Sequence, residues 1–388
     1  MTKQYTLYKR KAGKNEPYYV RFRDPETGKR MSGLSTHTNK KAEAENYVIK
    51  MIKENKVSKK CKYSFERFTD GFFNWKTSEY IKNQTERGCR YSKTYADSNA
   101  GILRNHVLPA FRDKLLTEIK VLDIEHFLKE LIIRKYSNTF INSVRNVLQS
   151  IFDEAYRLDI LEKNPMDRIK RMVADYQPKG IFNKSQLEQL FNKEAITRQW
   201  GARKDFFLIN ILALTTGMRQ GEIMALRVSD VKEDHILVSH TWDRKYGLKS
   251  PKYESSRPVP LPDFVSELLH IYISSITEGN AEPNSFIFRG ILPNKPIDHK
   301  AINKSFYNAL STIGIDLKKR KEINLTFHSW RHTFNTLMRH QIPDDTLKLL
   351  TGHKTDEMLE HYMHNTFEKI RGVIQVENEV FKNLIIAA

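Results

Sequence analysis

Residues 327–362 decide how the rest of the chain is organised: FHSWRHTFNTLMRHQIPDDTLKLLTGHKTDEMLEHY. Near its start, His328 and Arg331 form the pattern H-x-x-R. A helix over residues 329–339 would place these two side chains on one face, because they are three positions apart. A guanidinium fork beside an imidazole can bind two oxygens of one phosphate. The first half of the stretch therefore predicts an anion site.

The second half carries a Thr-Gly-His sequence that ends at His353, and Tyr362 follows nine residues later. A helix capped by Asp344 is predicted before it, and Gly352 ends that helix. One straight helix would put His353 and Tyr362 on opposite faces, since it has 3.6 residues per turn. A helix break at Thr355 lets both side chains converge. We interpret the stretch as a phosphate-binding cradle to which a phenol is delivered.

Each pattern taken singly is also typical of a solvated helix face or a packed tyrosine, because short motifs often occur by chance. Their joint order favours the cradle. A second arginine upstream, Arg219, supports the interpretation as a phosphate-binding cradle. It lies in Thr-Thr-Gly-Met-Arg-Gln-Gly-Glu, directly after the nearly all-apolar run of residues 206–213. Glu222 is three positions further on, so its carboxylate can orient the guanidinium; the alternative is an ordinary surface ion pair.

Composition points to a polyanionic partner. The 388 residues include 65 Lys and Arg against 46 Asp and Glu, a formal charge of +19. This excess favours nucleic acid first and an anionic membrane surface second. The N-terminus lacks the apolar segment of a signal peptide, and the longest apolar run, residues 206–214, is too short to cross a bilayer. Two cysteines offer neither a disulfide framework nor a zinc pattern. We expect a soluble cytoplasmic protein without a membrane partner.

The first 56 residues predict a small basic β domain. Residues 1–62 hold 17 Lys and Arg against 6 Asp and Glu. Three short strands are expected at residues 5–8, 18–22 and 30–34, with a helix over residues 40–54. A β-ribbon of this size can enter a major groove, with Arg21 and Arg23 as candidate DNA contacts; the alternative is a basic, solvated minidomain. The lysines at 56, 59, 60 and 62 indicate a linker.

Residues 63–172 predict an all-helical domain. Helices are expected over residues 64–81, 92–107, 121–133 and 139–158, the last with one apolar stripe from Phe140 to Leu158. Lys93, Arg104 and Arg145 are candidate DNA contacts, although an ordinary basic bundle has the same appearance. The Pro- and Gly-containing residues 173–180 indicate a second linker.

Residues 180–388 predict a mixed domain. A capping box at Ser185 and Glu188 opens its first helix. Strands are expected at residues 235–242 and 256–261, on either side of a connection that holds Lys245, Lys249 and Lys252. Further helices are expected over residues 263–275 and 300–313. The apolar positions of residues 373–386 form an amphipathic tail, which packs either on its own domain or on a neighbouring subunit.

Together these motifs resemble the tyrosine recombinase (phage integrase) superfamily. The resemblance rests on TTGMRQGEIMALRVSDV at 215–231, TFHSWRHTFNTLM at 326–338 and LLTGHKTDEMLEHY at 349–362. It implies a mainly helical, multidomain protein with small β parts, like the integrases of temperate phages and integrative conjugative elements. The implied domains are an arm-type DNA-binding β domain (1–56), a helical core-type DNA-binding domain (63–172) and a catalytic domain with a C-terminal tail (180–388).

The resemblance also implies the chemistry. Tyr362 would attack the scissile phosphorus and form a 3′-phosphotyrosine. The other implied catalytic residues are Arg219, Lys252, His328, Arg331 and His353, with Glu222 behind Arg219. The hairpin departs from many relatives, which have a second basic residue at the position of Glu254. Lys252 is taken as the catalytic lysine, with Lys249 as the alternative.

The implied partners are double-stranded attachment-site DNA and three further copies of the chain in a tetramer on DNA; an excisionase or a host DNA-bending protein is a further candidate. No cofactor and no metal are implied. The His328 to His332 spacing lacks the glutamate of a zinc protease motif. Two other functions remain open: a type IB topoisomerase-like swivelase, which rejoins the same strand, and a DNA-binding regulator without catalysis. The retention of all six implied catalytic residues argues against the regulator. The swivelase would use the same residues, but the C-terminal tail and the extra N-terminal domain favour the recombinase over it.

Overall fold

The computed structural model divides the chain into two compact units, Met1–Tyr176 and Gln177–Ala388. The structure describes residues 5–10, 16–23, 30, 33–53, 64–175, 177–250, 256–277, 280, 282–292, 294–352, 366–382 and 384–385. Helices dominate these ranges, and three small antiparallel sheets accompany them. The predicted fold class, mainly helical with small β parts, is confirmed. No described helix has the length and apolar character needed to cross a bilayer.

The first unit begins with a three-stranded sheet. Its antiparallel strands pair in chain order, β1 (Tyr5–Lys9), β2 (Tyr18–Phe22) and β3 (Leu34–Ser35), with Tyr5 opposite Phe22 and Val20 opposite Leu34. Val20 and Phe22 pack with Val48 of the following helix into a small core. Of the predicted third strand at 30–34, Leu34 lies in β3, and residues 31 and 32 lie outside the described residues, as does the predicted lysine linker at 56–62. The following helix, α1, spans Lys41–Lys53.

The remainder of this unit is helical and has its own core. Its elements are α2 (Phe65–Thr69), α3 (Glu79–Glu86), α4 (Lys93–Ile102), a π-helical turn (Leu103–Val107), α5 (Leu108–Phe111), α6 (Val121–Ile133) and α7 (Asn138–Arg157). The prediction of one helix over residues 64–81 is wrong. Gly71 adopts a left-handed conformation with φ of 64°, and Ser78 starts a new helix by accepting the Ile81 amide at 3.2 Å.

Helix α7 carries the predicted apolar stripe. Ser137 caps its start, and its fully buried apolar residues are Ile141, Val144, Val147, Leu148, Ile151, Phe152 and Ala155. Leu158, predicted in the stripe, is instead 47% exposed. Because α7 has 20 residues, its stripe is long enough to contact both α6 and α4.

The second unit is built around one buried helix, α10 (Lys204–Thr216), in which every residue from 206 to 216 is buried. It packs against the helices that begin at Asp263 (α12), His299 (α13) and Ser329 (α15). The unit's helices are α8 (Lys184–Phe191), α9 (Ala195–Arg198), α10 (Lys204–Thr216), α11 (Gln220–Met224), α12 (Asp263–Thr277), α13 (His299–Thr312), α14 (Leu317–Glu322), α15 (Ser329–Met338), α16 (Asp344–Thr351) and α17 (Thr366–Lys382).

Two short antiparallel ribbons lie beside these helices. Their strands are β4 (His235–Val238), β5 (Thr241–Asp243), β6 (Gly247–Lys249) and β7 (Arg257–Pro260). Strand β4 pairs with β7, so that Val238 lies opposite Arg257, and β5 pairs with β6. The expected strand over 235–242 is therefore two strands, because the chain changes partner after Val238.

One predicted helix boundary in this unit is wrong, and another is correct. The predicted capping box at Ser185 and Glu188 is wrong, because Asn183 caps α8 together with Gln186. Helix α16 ends as predicted at Gly352, which has φ of 65°. The C-terminal helix α17 packs on its own unit, against β7, α12 and α15, and the ring of Phe381 stacks on that of Phe334.

Candidate active site

Arg219 is held at the turn that joins α10 to α11. Gly217 ends α10 with φ of 61°, and a side chain there would lie 2.6 Å from Phe334. Two residues later, Arg219 occupies the N-cap position of α11. The Glu222 carboxylate accepts hydrogen bonds from both the Arg219 amide and its Nη1, each at 2.9 Å. The predicted pairing of Glu222 with Arg219 is thus present, and it holds Arg219 by both its backbone amide and its guanidinium group.

A third arginine, Arg257, completes this network and was missed by sequence reasoning. It is only 4% exposed, at the start of β7. Its Nη2 and Nη1 donate to the two oxygens of Glu222 at 2.8 and 3.2 Å. The only local signal is that Arg257 and Val259 alternate with Pro258, so they share the inward face of a strand.

Arg331 approaches the same region from α15. His328 occupies the N-cap position of this helix, and Arg331 is 2% exposed. Nη1 of Arg331 donates to the Gly217 carbonyl at 2.9 Å, and its Nη2 donates to the Thr351 carbonyl. The arginine thereby joins the end of α10 to the end of α16.

All three arginines meet at the C-terminal end of α16. Three successive carbonyls there each accept a hydrogen bond from a different arginine: Leu350 from Arg257 at 2.9 Å, Thr351 from Arg331, and Gly352 from Arg219 at 3.3 Å. The last carbonyls of a helix lack partners within it and carry partial negative charge. The structure therefore gathers three guanidinium groups around one negative helix end, where Arg219 and Arg331 bind adjacent carbonyls.

Comparisons with known proteins identify the family. A model described as the phage integrase family matches residues 181–369, and one for the N-terminal SAM-like domain of phage integrases matches residues 65–132. A XerC-like tyrosine recombinase of Caldanaerobacter subterraneus is 25% identical over 297 residues, which are 68% of this chain and 72% of the relative. The integrase of Escherichia phage HK022 is 24% identical over 355 residues, which cover 90% of this chain and 91% of that one.

A solved structure shares the fold across most of the chain. A lambda integrase tetramer bound to a Holliday junction aligns with a TM-score of 0.56 at 18% identity, covering 91% of this chain and 93% of the other. The chain belongs to the tyrosine recombinase superfamily. The prediction of a tyrosine-type, site-specific DNA recombinase that integrates a mobile element is confirmed.

The surroundings of the site in this recombinase lower the pKa values of Glu222, Arg331 and His328. Burial alone raises the pKa of Glu222, but the charges of Arg257 and Arg219 outweigh it and hold that pKa at about 2. Burial, together with the charge of Arg219, lowers the pKa of Arg331 to about 9. Arg331 consequently keeps its charge at neutral pH.

His328 is an exposed residue at the start of α15. Desolvation by the protein atoms around its ring lowers its pKa to about 4, and the positive charges of His332, Arg331, Arg219 and Lys179 act in the same direction. The His332 ring lies edge-on to it, 4.9 Å away, and burial also lowers the pKa of His332. His328 is therefore a neutral imidazole at pH 7, the form that can accept a proton.

Three of the predicted catalytic residues, Lys252, His353 and Tyr362, lie outside the described residues. The alternative lysine, Lys249, is described on β6. Its Nζ lies 2.6 Å from a carboxylate oxygen of Asp243 and 4.8 Å from the centre of the Tyr246 ring. Lys249 thus has an anionic partner and an aromatic neighbour within its own hairpin.

The predicted DNA-contacting residues differ in how far they are engaged by the protein. Arg23, Lys93 and Arg104 are exposed. Arg21 is half-buried, and its Nη2 donates to the Tyr8 hydroxyl at 3.1 Å. Arg145 is also half-buried and donates twice to the Ile169 carbonyl, from Nε at 2.9 Å and Nη2 at 2.7 Å. These bonds give Arg145 a role within the protein, and a DNA contact for any of the five stays a prediction.

Metal ligands do not gather in the parts of the chain that the structure describes: no three His, Cys, Asp or Glu side chains come together there.

Proposed function

We propose that this recombinase cleaves and rejoins DNA at the attachment sites of a mobile element through a 3′-phosphotyrosine at Tyr362. One observation carries the proposal. Arg219 and Arg331, which come from different helices, donate to the adjacent carbonyls of Gly352 and Thr351. Two guanidinium groups that meet at adjacent carbonyls can bind two oxygens of one phosphate.

The arginines would stabilise the transition state. As the phenolic oxygen attacks, negative charge grows on the two nonbridging oxygens of the scissile phosphate. Arg219 and Arg331 provide fixed positive charge and donors for these oxygens, and fixed donors need no reorganisation during the reaction. The Glu222 carboxylate is ionised at neutral pH, so its ion pairs with Arg219 and Arg257 are already formed before the reaction begins.

Proton transfers would be divided between two residues. His328 accepts the proton of the Tyr362 phenol, whose ordinary pKa near ~10 leaves it neutral at pH 7. Lys252 gives a proton to the departing 5′-oxygen, and His353 donates a hydrogen bond to a phosphate oxygen. Lys252 is preferred to Lys249, because the Lys249 ammonium is already engaged by Asp243, whose carboxylate oxygen lies 2.6 Å away.

Rejoining would follow by the reverse chemistry. The tyrosine–phosphorus bond replaces the broken 5′-oxygen–phosphorus bond, so the energy of the phosphodiester is retained. The 5′-hydroxyl of a partner strand can then attack and release Tyr362 without ATP. This sequence requires neither a metal nor a cofactor, because the arginines provide the charge stabilisation.

The three predicted domains would divide the DNA contacts among them. We infer arm-type binding for residues 1–56, core-type binding for 63–172 and catalysis for 180–388. Three separate hydrophobic cores within these ranges support the division. Four copies would assemble on double-stranded attachment sites to integrate and excise the element, with an excisionase or a host DNA-bending protein as candidate helpers.

Strand exchange between two marked duplexes tests this function. Two duplexes with the element's end sequences carry different fluorophores and different lengths, and recombinant products are resolved on a gel. The proposal predicts hybrid strands that contain one label from each parent. Relaxation of supercoiled DNA without hybrid strands would indicate a swivelase, and duplex binding without any cleavage would indicate a regulator.

A further inference from the structure

Glu222 is shared between two arginines with different surroundings. Its Oε1 accepts from Arg219 Nη1 and Arg257 Nη1, and its Oε2 accepts from the Arg219 amide and Arg257 Nη2. Arg219 is 29% exposed at the side chain, whereas Arg257 is 5% exposed. Arg219 is thus the more open of the two, whereas Arg257 is enclosed with all three guanidinium nitrogens bonded to Leu350 and Glu222.

Arg257 also holds the helix that leads towards His353. Its Nε donates to the Leu350 carbonyl at 2.9 Å, while its two Nη atoms bind Glu222. Gly352 packs against the same guanidinium: a side-chain carbon at this position would lie 3.2 Å from Arg257 Cζ and 3.4 Å from Arg219 Nη1. One planar group thus fixes the carboxylate behind Arg219 and the end of α16 in a single geometry.

Ion pairing alone does not explain this arrangement. A lysine could neutralise Glu222, but its single ammonium cannot present a planar fork to a carboxylate and a third donor to a carbonyl. Both contacts converge on groups that also bind Arg219, namely Glu222 and the end of α16. A change in the Arg257 fork should consequently displace Arg219.

We propose that Arg257 is a positioning residue for strand cleavage, which orients Arg219 through the shared carboxylate of Glu222 and the end of α16. The inference rests on the proposed function, in which Arg219 binds the scissile phosphate. Residues in such supporting positions change activity by about 10- to 100-fold when altered, because they fix the geometry of the groups that contact the substrate.

The test measures single-turnover cleavage of a nicked suicide substrate at saturating full-length protein. Arg257→Lys retains the charge and removes the fork. We expect the cleavage rate constant to fall ~10- to 100-fold, with the dissociation constant for the core site changed less than ~2-fold because Arg257 does not reach DNA. The matched control is Arg198→Lys, since Arg198 forms an exposed pair with Glu194; it should leave both quantities unchanged.

A double variant separates positioning from general structural support. If Arg257 acts through Arg219, then Arg257→Lys should slow an Arg219→Ala protein by less than ~3-fold, because the two changes share one effect. A methylphosphonate at the scissile position lacks the negative charge of the phosphate. With this substrate, Arg257→Lys should likewise lower the cleavage rate constant by a smaller factor. Equal slowing in both backgrounds, or an unchanged cleavage rate in the single variant, would overturn the proposal.

Partial unfolding has a different signature. It lowers the fraction of protein that reacts, and it leaves the rate constant of the reacting fraction unchanged. If Arg257→Lys gives no folded protein, Glu222→Asp is measured instead, because it keeps the charge and withdraws the carboxylate from both arginines; the same loss in rate is expected. Absence of any adduct in the unaltered recombinase would refute the proposed function. The Arg257 inference fails when that protein cleaves normally and either the variants do so too or Arg257→Lys slows both Arg219 backgrounds equally.

Discussion

Replacing Glu222 with glutamine should destabilise the second unit by several kcal/mol. Each carboxylate oxygen of Glu222 accepts two hydrogen bonds, four in all, from Arg219 and Arg257. Whichever oxygen becomes an NH₂ group then faces two other donors, so at least two charge-assisted bonds are lost. Removing one partner of a buried ion pair costs about 3–5 kcal/mol, because the remaining charge is left uncompensated.

The pKa of Glu222 gives a second estimate of similar size. It lies at about 2 in the folded protein, against an ordinary value of 4.5. At 1.36 kcal/mol per pH unit, the ionised carboxylate contributes about 3 kcal/mol. Since the folded-state pKa is the lower one, this contribution is complete above pH 4.5 and is lost as the pH falls from 4.5 towards 2.

Urea unfolding measures the effect directly. Glu222→Gln should lower the free energy of unfolding by about 3 kcal/mol at pH 7, and its stability should depend less on pH below 4.5. Glu194→Gln is the matched control, because Glu194 and Arg198 are both 72% exposed and such pairs contribute less than about 1 kcal/mol. A loss below about 1 kcal/mol for Glu222→Gln, equal to that of the control, would refute the reasoning.

Three further predictions follow from other parts of the chain. Because the pKa of His328 is about 4, the second-order rate constant of adduct formation should fall only as the pH drops towards 4. An inflection of this rate constant near pH 6.5 would contradict the lowered pKa of His328. Asn210→Leu should cost about 1–3 kcal/mol in urea unfolding, because it leaves the buried indole N–H of Trp330 without its acceptor. Deletion of residues 1–56 should retain cleavage at core-type sites and weaken binding to distal sites; equal gel-shift affinity at fixed salt would exclude arm binding.

Local patterns were sufficient where a contact is made within a few residues. The spacing of Arg219 and Glu222 predicted their pairing, since both partners lie within one helical turn. Gly352 was predicted to end its helix for a similar reason, because a residue with positive φ favours glycine. By contrast, the helix expected over residues 64–81 failed, because the turn at Gly71 and the cap at Ser78 outweighed its apolar pattern.

Contacts between distant parts of the chain could not be predicted in this way. Arg257 binds Glu222, 35 positions away, and a single arginine in a short strand carries no sign of its partner. Asn210 interrupts an apolar helix, and only the structure shows that it accepts a hydrogen bond from Trp330, 120 positions away. Both residues are buried polar groups whose partners come from another element, as buried polar groups generally require.

The most direct test of the account is the identity of the residue joined to DNA. The recombinase is incubated with a nicked suicide substrate, the adduct is digested, and the modified peptide is located by mass spectrometry. We predict a 3′-phosphotyrosine on Tyr362, and no adduct from Tyr362→Phe, which should still bind the duplex. An adduct on another residue, or one that persists in Tyr362→Phe, would contradict the central claim.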